Sequence, residues 1–318
     1  MNRRMFFVAP GLTALAAMAN APLKLRLAGT MHLNLSPLHV AIEKGFFRDQ
    51  GLEIEIVPLA RSNDAIPVLA QGGLDVALYA LNPPVINAIA KGVRIRLVAA
   101  RDRVQPDCGD TGSLYSHSSI RSVAELKGRK VANGHAAGIV EFALDAALAR
   151  TGLRPADVEV VRLLPADAAA ALLRREVDAL TGPDLSNMKV LRRPDFRLLT
   201  TLGRTLPGFQ FAYVMFGRQL LDGPVDPGAR FLRALLRGLG AYAGGATPAY
   251  MTDLAQKIGL DVAEVRTACR SHVVADGRID RASIDRFAAW AHGKGYCEKL
   301  PSANALVEER FLQAAARP

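Results

Sequence analysis

The chain has 318 residues, half of them hydrophobic, six histidines, three cysteines and a formal net charge of +10. Three cysteines, Cys108, Cys269 and Cys297, exclude a disulfide framework and leave a lone Cys269–Cys297 bridge or buried thiols as the alternatives. The positive balance suits an anionic partner or membrane surface. Its arginines, however, are scattered along helical segments such as "RFLRALLRGLGAY" without aromatic–basic interleaving, which speaks against nucleic-acid binding.

Residues 1–21, "MNRRMFFVAPGLTALAAMANA", have the pattern of an export signal. Arg3 and Arg4 precede an apolar run, Met5 to Met18, too short to span a bilayer as a mature helix. Ala19-Asn20-Ala21 follows as a small-x-small cleavage site. The paired arginines before Met-Phe-Phe fit the twin-arginine route as well as Sec. Cleavage near Ala21 predicts a periplasmic protein of 297 residues and charge +8, enough for about two domains.

From Leu25 onward the hydrophobic period switches repeatedly between strand and helix. Strands are expected at Leu25–Ala28, Leu52–Val57, Leu74–Tyr79 and Ile95–Ala99, with helices at Pro37–Lys44, Asp64–Gln71 and Pro84–Lys91. Ser36, Asp64 and Asn82 are ordinary N-cap residues, Pro37 starts a helix, and Gly45 ends it in a left-handed turn with Phe46 free to pack back. Such alternation demands crossover connections and a mostly parallel sheet flanked by helices. Segment 51–80 is then echoed by 157–182, each running strand, proline-containing turn, short helix and strand, which points to two similar lobes.

The unsettled stretch 101–122 reads as the first crossing between lobes, and 198–217, two strands around a Pro-Gly turn, as the return. Expected domains are 22–105 and 209–318 for lobe 1 and 106–208 for lobe 2. The C-terminal region reads as helices at Asp226–Tyr242, Pro248–Ile258, Val262–Ser271, Arg281–His292 and Ala303–Ala316, with Thr247 and Gly259 as caps. In open α/β lobes ligands bind beyond the carboxyl ends of strands, so a site between lobes is expected.

The residues offer little for catalysis. There is no G-x-S-x-G elbow, P-loop or G-x-G-x-x-G, and the histidines have no ligand spacing, so neither a cofactor nor a metal is expected. What stands out are five strand-to-helix turns, 30–36, 61–64, 80–83, 133–138 and 181–184, whose backbone N–H groups can hold polar ligand groups.

"SPLHVAIEKGFFRDQGLEIEIV", "VLAQGGLDVALYA", "SIRSVAELKGRKVA" and "TGLRPADVEVVRLLPADAAAALLRREVDAL" resemble the nitrate, sulfonate and taurine type of periplasmic binding protein, a group with relatives that bind thiamine-precursor pyrimidines. The resemblance runs from about residue 25 to 200 and more weakly into "IDRASIDRFAAWAHGKGY". It implies a type II-like two-lobed α/β binding protein that hands a small-molecule ligand to an ABC importer permease, ordinarily as a monomer and without catalysis. Carried over by position, the contacts fall on Met31, His32, Leu33 and Asn34, on Tyr79, Ala80, Leu81 and Asn82, on His135, Ala136, Ala137 and Gly138, and on Pro183 and Asp184.

The chain departs from the sulfonate binders at "NGHAAG", where they commonly present small hydroxyl residues, and Asp64 and Asp184 would repel a sulfonate if they faced inward. Met31, Tyr79, Tyr115, Phe211, Tyr213 and Met215 read either as core or as a ring-accepting wall. A small anion and a small heterocycle both remain open as ligand. Two other readings stay open: an enzyme of thiamine-pyrimidine synthesis on this fold, although its cysteine-rich run is absent, and a sensor acting with a separate receptor.

Overall fold

The computed structural model of the chain describes residues 21–29, 35–59, 64–106, 112–183, 187–267 and 272–317. The export-signal reading, the turn 30–34 and Asp184 lie outside them.

Strands in chain order are β1 (Leu23–Ala28), β2 (Leu52–Val57), β3 (Val76–Ala80), β4 (Arg96–Arg103), β5 (Leu114–His117), β6 (Lys130–Ala132), β7 (Glu159–Val161), β8 (Ala179–Thr181), β9 (Phe196–Thr200), β10 (Gln210–Phe216) and β11 (His272–Val273). Helices are α1 (Ser36–Glu43), α2 (Phe46–Asp49), α3 (Ala65–Ala70), α4 (Pro83–Ala90), α5 (Ile139–Ala149), α6 (Pro165–Leu173), α7 (Met188–Leu191) and α8 (Leu202–Thr205). They continue with α9 (Arg218–Asp222), α10 (Val225–Ala243), α11 (Met251–Ile258), α12 (Val262–Thr267), α13 (Arg281–Gly293), α14 (Ala303–Leu306) and α15 (Arg310–Ala315).

Two sheets result, ordered β11-β4-β10-β3-β1-β2 and β7-β6-β8-β5-β9. The first takes strands from both ends of the chain, which crosses into the second lobe and returns. Both sheets are mixed, where a mostly parallel arrangement was expected. β1 pairs parallel with β2 and β3, and β6 with β7 and β8, but β10 runs antiparallel to β3 and β4, and β5 to β8 and β9. β10 and β5 are each the strand that arrives from the other lobe, while β11, antiparallel to β4, adds an edge from within the same lobe. β5 itself lies inside the stretch read as an irregular crossing, and β11 between two expected helices, Val262–Ser271 and Arg281–His292.

Both faces of the first sheet are covered, which explains near-continuous apolar runs such as "FAYVMF" in β10. Tyr213 and Met215 face α3, α4 and α13, while Val214 and Phe216 face α1 and α10. Tyr213, Met215 and Tyr115 are therefore core. In the second sheet Val131 and Ala179 pack under α5, and Ala132 and Leu180 against α6.

Several helix boundaries differ from expectation for tertiary reasons. Ser36 is not a cap: it lies inside α1, fully buried, with its hydroxyl 3.0 Å from the Tyr250 hydroxyl. Thr247-Pro248 does not start α11, because the Glu43 carboxylate accepts the Ala249 N–H and holds 248–250 as a turn ahead of Met251. Asp64 stands at the start of α3 without a side-chain capping bond. The last expected helix is split, because Val307 bridges to Leu97 of β4 and the Glu308 N–H donates to the Leu97 carbonyl. By contrast, Asn82 caps α4 through the Val85 N–H, and Gly259 closes α11 in the left-handed region. Gly45, at φ 75°, turns the chain from α1 into α2, where the Phe46 ring carries the Arg237 guanidinium 4.1 Å from its centroid.

Candidate functional site

The lobes meet along α5. One side of this helix, with Leu144, Ala147 and Leu148, packs on the second sheet, whereas Phe142 and Ala143 join the core of the first lobe. The Phe142 ring lies 5.3 Å from Phe209, 5.6 Å from Phe287 and 5.3 Å from Trp290. The Trp290 indole N–H donates to Asp145 at 2.9 Å. A helix with apolar residues on two sides is a wall shared by two cores.

Glu141 sits at this seam, only 4% exposed, in the first turn of α5. Its carboxylate accepts the Ala137 N–H at 2.9 Å and the Tyr296 hydroxyl at 2.8 Å, with Lys294 at 3.1 Å and Arg162 at 3.2 Å. Burial pulls its pKa upward, but those four partners outweigh burial and hold it below the usual glutamate value. Lys294 also lies 3.0 Å from Asp145; burial opposes its charge, and the two carboxylates more than restore it. Glu141 reads from the sequence as one more charge on a helix, and the one local signal for it was a Glu in the first turn of a helix, near the capping-box pattern.

Tyr296 connects this seam to the first lobe, since its carbonyl accepts the Asn87 side-chain N–H of α4 at 2.9 Å. Tyr296 thus bridges the second half of α4, at Asn87, and the first turn of α5, at Glu141, two helices whose starts carry expected contact turns. At the first of these turns Tyr79 and Ala80 are half-buried, Leu81 is buried in the core and Asn82 caps α4. Burial raises the Tyr79 phenol, while Arg101 lowers it and Asp64 raises it. Tyr79 and Asn82 also border an apolar cavity with Ile66, Val85 and Met215, whose volume of about 10 Å³ has room for about one water and none for a solute.

At the second turn His135 and Ala136 are exposed and Gly138 is the N-cap of α5. The His135 N–H donates to the Asn133 side chain at 2.9 Å. Ala137 adopts φ 54°, a left-handed conformation that costs a non-glycine residue about 1 kcal/mol or more. At the third turn Pro183 is buried, and Gly182, at φ 69°, has Val140 of α5 where a Cβ would stand. Met31–Asn34 and Asp184 fall outside the described residues.

Two neighbouring residues fall at the start of turns singled out from the sequence but not among the expected contacts. Asn133 and Thr181, at the carboxyl ends of β6 and β8, are 0% and 3% exposed, and Asn133 Nδ2 and Thr181 Oγ1 have no hydrogen-bond partner among the described residues. The one sequence signal for them is a polar residue directly after an apolar strand. Among the described residues no group of three or more His, Cys, Asp or Glu side chains is placed to hold a metal ion, and no helix is long and apolar enough to cross a membrane.

Two mixed α/β lobes with a double crossing and a seam at the strand ends are the architecture of a two-lobed periplasmic binding protein. The chain belongs to the NMT1/THI5-like family, whose sequence profile matches residues 32–211. It is 28% identical over 148 residues to 4-amino-5-hydroxymethyl-2-methylpyrimidine phosphate synthase THI11 of Saccharomyces cerevisiae, a match covering 46% of this chain and 41% of the yeast protein. The chain thus spans less than half the length of the curated relatives it matches. In three dimensions it is similar to the periplasmic aliphatic sulphonate binding protein SsuA of Escherichia coli, with a TM-score of 0.68 at 18% identity over 91% of this chain and 92% of that one. It is also similar to the desulfurization enzyme DSZB, with a TM-score of 0.63 at 16% identity over 92% and 98%.

Proposed function

We propose that this protein is an exported solute-binding protein that captures a small molecule between its lobes and delivers it to an ABC importer permease. In this reading residues 1–21 are removed on export, 22–105 and 209–318 form one lobe, 106–208 form the other, and the protein works as a periplasmic monomer without a cofactor. The observation that carries it is the seam: α4 and α5, whose starts hold contact turns from different lobes, are tied together through Tyr296, which bonds to Asn87 of α4 and to Glu141 of α5. The likeness to a sulfonate-binding protein over nine-tenths of both chains supports the same reading.

The solute contacts are then drawn from Met31–Asn34, Tyr79–Asn82, His135–Gly138 and Pro183–Asp184, with Leu81 contributing backbone because its side chain is in the core. An enzyme on this fold is the second reading, supported by the names of THI11 and DSZB. Of the three cysteines only Cys297 lies among the described residues, and its thiol is buried with its pKa raised by burial, the reverse of an activated nucleophile.

The test is fractionation of the native host followed by thermal-shift screening of the mature protein. A solute at a hundredfold excess over Kd should add about 2.7 kcal/mol of stability. Periplasmic recovery and a solute-dependent rise in Tm are expected, and His135→Ala should weaken that solute's binding with little loss of apo stability. Cytoplasmic recovery together with turnover of a pyrimidine or sulfinate substrate would replace transport with catalysis.

A further inference from the structure

Resting on the solute-binding reading, we infer that the second lobe receives an uncharged amide-like part of the solute, a carbonyl beside an N–H, and not an anionic group. The start of an eleven-residue helix such as α5 attracts one anion, since its dipole amounts to about half a positive charge. That place is filled from within the chain. The Glu141 carboxylate bonds to the Ala137 N–H ahead of the helix and is anchored by Tyr296, Lys294 and Arg162. With Asp145 against Lys294, two carboxylates face two cations and the group is balanced. A sulfonate or carboxylate arriving here finds the helix start already occupied by the Glu141 carboxylate and no unpaired cation in the group to offset its desolvation.

What the same place lacks is partners for two neutral groups. The register pairs Val131 with Ala179 and Ala132 with Leu180, so the next residues, Asn133 and Thr181, lie side by side. Strand alternation turns both toward the side of the sheet that Val131, Ala179 and α5 share. The Asn133 carbonyl oxygen is used by the His135 N–H, which leaves its Nδ2 as a donor, and the Thr181 hydroxyl can accept or donate. A donor beside a hydroxyl acceptor is the complement of an amide: the solute carbonyl accepts from Asn133 Nδ2, and its N–H donates to Thr181 Oγ1. Buried polar groups without partners are uncommon in folded chains, and two in register at the carboxyl edge of a sheet mark a place completed by something else.

The experiment is calorimetric titration of the full mature protein with size-matched pairs, nicotinamide against nicotinate and butyramide against propanesulfonate, alongside native mass spectrometry of freshly purified protein to identify co-purified solute. We expect each amide to bind at least tenfold tighter than its anionic partner. Thr181→Val should cut amide affinity about tenfold with Tm unchanged, and Glu141→Gln should raise the affinity of the anionic partner. If Glu141→Gln fails to fold, Thr181→Val carries the test. Tighter binding of nicotinate or propanesulfonate, or a co-purified anion lacking an amide, overturns this inference and leaves solute binding intact. No binding of any probe, with no co-purified solute, overturns both.

Discussion

Replacing Phe142 with Ala should lower stability by about 4–5 kcal/mol, the upper half of the range for removing a buried phenylalanine. The side chain is 5% exposed and touches three other aromatic rings, each pair adding about 0.5–1.5 kcal/mol beyond area burial. These pairs share one ring and do not add independently, which keeps the total inside the range. At roughly 2 °C per kcal/mol for a chain of this length, Tm should fall by about 8–10 °C. Phe47→Ala is the comparison: Phe47 is 2% exposed but has one ring neighbour among the described residues, Phe231 at 5.2 Å, inside a single lobe. Calorimetry should give a lowered single transition for Phe47→Ala. For Phe142→Ala it should give a lowered and broadened one, because the ring belongs to the first lobe's core while its helix belongs to the second. Trp290, the chain's one tryptophan, should report the same event by a red-shifted emission in the Phe142 variant alone. A Tm drop under about 2 °C, or unchanged emission, would refute the claim that α5 is lodged in both cores.

The acid limb of stability should carry the signature of Glu141. Its folded pKa lies below the ordinary value of 4.5, so its contribution is complete above about pH 5 and is lost as pH falls through the folded value; Glu141→Gln should flatten that limb in denaturant titrations. Two glycines of α10 should respond with opposite sign to alanine. At Gly238 a Cβ would meet Ala41 Cβ at 2.5 Å and the Pro37 carbonyl at 2.7 Å, so overpacking of about 1–3 kcal/mol exceeds the gain in helix propensity. At Gly240 nothing among the described residues lies within 4 Å of a Cβ, and Ala should stabilise by about 1 kcal/mol. Tyr250→Phe strips the fully buried Ser36 hydroxyl of its partner and should cost about 1–2 kcal/mol by the shift in urea midpoint. Burial holds the Tyr250 phenol up at about 12, so its ionisation should be absent from an ultraviolet titration below pH 11.

The features legible in the sequence are those settled within a few residues. Gly45 and Gly259 end helices through their own φ, Asn82 caps α4 through a residue three positions on, and the runs in β2 and β10 show their burial directly. What escaped depends on distant partners. β5, "LYSH", has no apolar period, and all four residues are buried because it is an interior strand between β8 and β9, with Leu114 covered on the α5 side and Tyr115 on the α6 side. Ser36 has the composition of a cap and is instead claimed by a tyrosine 214 positions away. Glu141 is the sharpest case. As a sequence letter it belongs on a solvated helix face, and the Tyr296 hydroxyl that helps bury it comes from 155 positions further along. The same separation bears on ligand preference. Motifs that identify the family sit in local turns and caps, which many solutes can share. The charge offered to a ligand at α5 is set by which remote side chains reach its first turn, so chains with the same local motifs can differ in what they bind.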